Sequence, residues 1–440
     1  MNSSNPTGSA DALQPAAATA RRAFRCRCDR PVFFDNDRCL ACGTALGFDP
    51  ELGLVRPLEE DASNGTWVAL RARDDGGHPL SAYRRCTNAG TAAGCNWLVP
   101  ADGDASTAWC RSCRLDRTVP DPTERDNALL WHDVEQAKRE VVAQLIALGL
   151  PVASRVSEDT QAGLMFDLLR SPPAGPRVVT GHDDGLITLD IEEADPVHRE
   201  SMRQRLHEPY RTLVGHLRHE SGHYYLQRLV EHTQWEAPFR ALFGDERADY
   251  AQALKVHYEQ GAPADWRNHF VTEYASAHPH EDWAETWAHY LHLVDGLATA
   301  RVFGMAGARE AIAVEPFRVE ALGLPGEATA DDLAFLEALN DWIALTVALN
   351  QLTRSLGEHD FYPFVLSVPA VHKLHFVHRL VRGSATTGAQ PSLSSADTTP
   401  AADAQGGASS ASTTLVQSTS TTRTPAMAAS DPAHAVGAGA

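Results

Sequence analysis

Apolar residues recur at helical spacing through several stretches of the chain. Over residues 127–148, Leu130, Val134, Ala137, Val141, Leu145 and Leu148 share one face, and Gly149 and Pro151 end the run. The same period predicts helices over 209–230, 280–299 and 329–355, the last stopped by Gly357. Between the first two, extended patterns at 177–182 and 185–191 flank Asp183, Asp184 and Gly185, which predicts a hairpin. A small sheet followed by a helical body reads as α+β. Residues 1–22 and 383–440 lack aromatic residues and are dominated by Ala, Ser, Thr, Gly and Pro, so both ends are expected to be disordered.

At 440 residues, and roughly 150 per domain, the chain has room for two or three domains. Hydrophobic residues at 43 % are enough for a packed core. The net charge of −19 argues against a nucleic-acid binder working through a general basic surface. No apolar run approaches the roughly 20 residues of a membrane span, and the N-terminal stretch lacks an apolar signal core. A cytoplasmic protein with no membrane partner is the expectation.

The eight cysteines all lie between Cys26 and Cys113. Their segregation divides the chain into a tail (1–22), a Cys-rich module (23–118), a helical domain (123–382) and a second tail (383–440). Cys26, Cys28, Cys39 and Cys42 form one group; Cys86, Cys95, Cys110 and Cys113 form another. Each group ends in a Cys-x-x-Cys turn that offers two thiolates to one ion, and Gly43 permits the tight turn after Cys42. Two structural zinc sites are expected, paired in sequence order, with an interleaved pairing as the alternative. Disulfides need an oxidising compartment, and iron–sulfur ligation fits the knuckle spacing less well. Such a module can bind a protein partner. Arginines near the knuckles (Arg21, Arg22, Arg25, Arg27, Arg30, Arg111, Arg114, Arg117) form either a local basic patch or an ordinary solvated surface.

The second chemical signal is His219-Glu220-Ser221-Gly222-His223 inside the predicted 209–230 helix. Histidines at i and i+4 face the same way and can share one metal, while Glu220 is placed to take a proton from a water that the metal acidifies. A catalytic zinc needs one more protein ligand. No Gly-x-x-His follows, so the metzincin pattern is absent. Glu281 and Glu285 offer carboxylates at i and i+4 on a later helix: one can ligate while the other orients a histidine, unless both merely decorate an acidic helix start. His216 reads as a surface histidine, His372, His375 and His378 as one exposed helix edge, and Trp283 and Trp287 as core contacts.

Residues 24–382 resemble a family of bacterial proteins that join a zinc ribbon to a zinc-binding metallopeptidase domain. The matching segments are 38–43 (RCLACG), 95–100 (CNWLVP), 110–115 (CRSCRL), 219–225 (HESGHYY), 243–247 (FGDER) and 281–290 (EDWAETWAHY). The order of motifs is also similar to the gluzincin peptidases. That resemblance implies one catalytic zinc held by His219, His223 and Glu281, with Glu285 orienting a ligand histidine and Glu220 as general base. It further implies that Tyr274, at the offset of a catalytic tyrosine before the third ligand, stabilises the oxyanion, and that residues 177–191 bind extended peptide. The expectation is a zinc metallopeptidase acting on a peptide or protein substrate. Its rivals are a ribbon-based adaptor with a non-catalytic HExxH domain and a zinc amidase acting on a non-peptide substrate.

Overall fold

A computed structural model describes residues 22–73, 76–103, 108–206, 208–305 and 315–387. Of the two expected tails, all but Arg22 and the last turns of the final helix lie outside the described residues.

The Cys-rich part is built on short strands. β1 (Ala23–Arg25) and β2 (Pro31–Phe33) form a hairpin around the first two cysteines. β3 (Ala45–Asp49), β4 (Leu54–Asp61), β5 (Thr66–Ala69), β6 (Ala82–Arg85) and β7 (Leu98–Pro100) follow as an antiparallel sheet in sequence order. The buried rings of Phe34, Phe48 and Trp97 pack together, edge-on between Phe34 and Phe48 and tilted between Phe48 and Trp97, with ring centroids 4.7 and 4.9 Å apart along the series.

β8 (Asp116–Thr118) leaves this module and pairs, parallel, with β9 (Met165–Leu169) of the next. α1 (Asn127–Ala147) crosses between them and buries Leu130, Val134, Val141 and Leu145, the face that the periodicity predicted. β10 (Gly181–Asp183) and β11 (Leu186–Asp190) complete a sheet of order β10-β11-β9-β8. The expected hairpin is present. Asp184 and Gly185 adopt φ of 45° and 79°, as a tight turn between twisted strands requires. Its first strand starts at Gly181 rather than at 177 and forms the sheet edge.

The remainder is helical: α2 (Pro196–Arg205), α3 (Leu213–Leu229), α4 (Glu236–Phe243), α5 (Tyr250–Gln260), α6 (Pro279–Val302), α7 (Ala330–Ser355) and α8 (Val368–Thr387). Thr212 caps α3 by accepting from the Gly215 N–H, and Thr329 with Asp332 makes a capping box on α7. One apolar core runs without a break from Phe24 to Val381, so the Cys-rich and helical parts form one packed body.

The chain is therefore α+β, with the Cys-rich module first and a mainly helical part after it. One expectation is corrected. His375 and His378 are not an exposed edge: they are 3 % and 0 % exposed, and their Nε2 atoms pair with Asp332 and Asp331 on α7 at 2.7 and 3.1 Å. They hold α8 to the start of α7. Trp283 and Trp287 are fully buried core residues, as expected.

Candidate metal centre

The helices α3 and α6 carry the centre and touch closely. A β-carbon on Gly222 would lie 2.9 Å from the Ala284 Cα, so glycine is what lets the two backbones approach. The Trp283 indole N–H donates to the Gly222 carbonyl at 2.7 Å, and the Trp287 N–H to the Ser221 hydroxyl at 3.1 Å. The two variable positions of the His-Glu-x-x-His motif thus serve the seam between the helices. Immediately before the motif on α3, Arg218 bonds Gln144 of α1 and Asp295 of α6, and Arg22 joins the same Asp295 at 2.6 Å.

This seam brings three donors together. His219 Nε2 and His223 Nε2 are 3.3 Å apart, and Glu281 Oε2 lies 3.1 Å from His219 Nε2. A tetrahedral zinc with bonds of about 2.0–2.1 Å spaces its ligands by about 3.3 Å. Glu281 is 1 % exposed, and its Oε2 has no hydrogen-bond partner. A buried, unpartnered carboxylate oxygen costs several kcal/mol, of order 1–3 even when neutral, unless a cation meets it. The donor set therefore fits a zinc ion. The acidic-surface reading of Glu281 fails on this burial.

Glu285 Oε1 accepts from His219 Nδ1 at 2.6 Å, which keeps the proton on that nitrogen and leaves Nε2 free to ligate. Before an ion binds, burial opposes a charge on His219, but the Glu281 and Glu285 carboxylates against it raise its pKa well above the usual imidazole value, so a metal arriving at Nε2 displaces a proton there. Burial and the same two carboxylates push the Glu220 carboxyl up to about 7, against the opposing charge of His219. Burial takes His223 down to about 3.

Tyr274 sits in a single turn of 3-10 helix before α6, with its ring 6.1 Å from that of His219. The Pro279 break means that its offset from Glu281 is not two turns of one helix. The edge strand β10 packs against α3, and its His182 ring stacks on His223 at 6.2 Å. His216 is neither free nor at the metal: it lies 3.6 Å from Glu193, and burial lowers it to about 4.

The reading of the sequence missed Tyr250. Its hydroxyl donates to Glu281 Oε1 at 2.6 Å. It stands 31 residues before that glutamate in no motif, and only its neighbourhood to the 243–247 segment marks it.

The two cysteine groups assemble in sequence order, Cys26, Cys28, Cys39 and Cys42 in one and Cys86, Cys95, Cys110 and Cys113 in the other. Sulfur separations of 3.6 and 3.8 Å in the first and 3.6 Å in the second match the edge of a zinc–thiolate tetrahedron, about 3.8 Å for bonds of about 2.3 Å. In the first group Cys28 and Cys42 are exposed; in the second all four are buried. The arginines nearby face carboxylates: Arg25 meets Asp29, Arg111 meets Glu51, Arg114 meets Glu158 and Arg117 meets Asp167. These four are paired rather than free, while Arg27 and Arg30 are exposed and Arg21 lies outside the described residues.

Two cysteine tetrads joined to a helical body with a His-His-Glu cluster define a protein equipped to bind zinc. The chain belongs to the family described as "Putative zinc-binding metallo-peptidase", which matches residues 127–380, and residues 23–124 match a zinc-ribbon domain. An uncharacterized protein of Mycobacterium tuberculosis H37Rv is 41 % identical over 82 % of this chain and 95 % of its own length. An uncharacterized protein of Mycobacterium bovis matches to the same extent. No solved structure matches.

Proposed function

We propose that the chain is a zinc-dependent peptidase of the gluzincin kind, with one catalytic ion at His219, His223 and Glu281 and one structural ion in each cysteine tetrad. The observation that carries this reading is the buried Glu281 carboxylate set against the Nε2 atoms of two histidines from another helix, its otherwise unpartnered Oε2 3.1 Å from His219 and its Oε1 3.8 Å from His223. A zinc ion bound there supplies Lewis acidity, polarising the scissile carbonyl and acidifying water.

The chain's own groups do the rest. Glu220, poised near neutrality, takes the proton of the attacking water and passes it to the leaving amine. Glu285 fixes the tautomer of His219. Tyr274, whose phenol carries its proton at neutral pH and is held there more firmly by burial, is a donor to the developing oxyanion. The free edge of β10 offers backbone groups to an extended peptide. No described helix is long and apolar enough to cross a membrane. A peptide or protein substrate met in the cytoplasm, and a protein partner on the ribbon, complete the proposal.

Glu220→Gln tests it. The variant is expected to keep its full metal content and lose cleavage of a proteome-derived peptide library by about 10²–10⁴-fold. Cleavage at the wild-type rate contradicts the role of Glu220.

A further inference from the structure

A carboxylate has two oxygens, and a ligand carboxylate is free to offer one or both. At Glu281 that freedom is removed. Tyr250 Oη–H donates to Oε1 at 2.6 Å, the length of a charge-assisted bond, while Oε2 stays buried and unpartnered. We propose that Tyr250 is a positioning residue: it holds Oε1, reserves Oε2 for the ion, and so preserves an open position at the metal.

The chain invests several features in seating this tyrosine. Gly244, at φ 99°, ends α4, and Arg240 bonds both oxygens of Glu246 at 3.0 Å, which folds the 244–247 segment into the turn before α5. Next, the Ala248 carbonyl accepts from His278 Nε2 at 3.1 Å, and His278 caps α6 with its other nitrogen. Asp249 caps α5 by accepting from the Gln252 N–H, which makes Tyr250 the first residue of that helix. The ring of Tyr250 then packs edge-on against His278 at 5.2 Å. One residue therefore ties the start of α5 and the start of α6 to the same carboxylate. α5 itself buries no side chain fully, so the phenol, not packing of the helix, locates this contact.

The inference rests on the ion site proposed above but not on peptide cleavage. The test uses the full chain with both ribbon ions in place. Zinc affinity of the remaining site is measured by competition with a chromophoric chelator, and cobalt(II) is added to that site for its visible spectrum. Tyr250→Phe is expected to weaken zinc binding there by about 10–100-fold, as loss of a partner to a ligand does. At saturating cobalt its spectrum is expected to differ from that of the wild type, because the second oxygen is now free.

An unchanged affinity in Tyr250→Phe, or a weakened site whose saturated spectrum is the wild-type one, overturns the assignment. A wild-type chain that takes up no ion beyond those in the ribbon overturns both this inference and the proposed function. A chain that binds the ion and cleaves no peptide defeats the proposed function alone and leaves the role of Tyr250 standing.

Discussion

Around His219, His223 and Glu281 lies a shell of buried groups whose protonation couples to stability. His289 on α6 is 4 % exposed, bonded through Nδ1 to Tyr362, and burial lowers its pKa from 6.5 to about 4. Because the folded value is depressed, the unfolded chain binds the proton first as pH falls. The contribution of His289 is therefore complete above pH 6.5 and lost between there and about 4, amounting to about 3 kcal/mol at most. Urea midpoints of the wild type should fall over that window, and those of His289→Gln should fall less steeply. Equal slopes would show that His289 is not held neutral. At this scale the convergence of His219 and His223 was legible in the sequence, since i, i+4 spacing is a property of one helix. Glu281 and Glu285 emerged only as a pair whose roles needed a resemblance. Tyr250 was invisible, because a contact made through the close of a turn leaves no periodic trace.

Among the elements, the α3–α6 seam decides whether two histidines and a distant glutamate can meet. Gly222→Ala places a methyl 2.9 Å from the Ala284 Cα and 3.2 Å from the Trp287 ring. Neither helix can yield without moving the other. The substitution is expected to cost about 1–3 kcal/mol of stability and to lower occupancy of the His219–His223–Glu281 site while the ribbon ions remain. A variant with wild-type melting temperature and metal content would show the approach to be less strict than the backbone suggests. The long helices α1, α3, α6 and α7 were legible from period alone, α1 and α7 almost to the residue. The strands of the ribbon were not: most run only three to five residues and lie between metal knuckles, too short for alternation to register. The parallel pairing of β8 with β9 was equally hidden, since its partners lie about 50 residues apart. The histidines of α8 were misread for a different reason: their burial depends on the acidic first turn of α7.

Across the whole molecule, the ribbon is part of the core rather than an appendage. α1 of the helical part buries Lys138 between Glu135 and Asp116, and Glu135 in turn lies 3.9 Å from the Cys113 sulfur. From the opposite direction, Arg22 reaches Asp295 and Glu140 at 2.6 and 2.9 Å. The second cysteine site is thus sealed by the helical part, while the first keeps Cys28 and Cys42 at the surface. A thiol reagent should release ribbon zinc in two phases, the first ion leaving from the exposed tetrad with the helical content intact, and the second leaving with loss of fold. Simultaneous release would contradict this difference.

The central claim is an ion shared by two helices, and metal stoichiometry addresses it without reference to any substrate. Plasma mass spectrometry of the purified chain is expected to find about three zinc ions, and the His219→Ala/His223→Ala double variant about two, by the ligand count of each site. Two ions in both proteins would mean that the histidines and Glu281 converge on nothing.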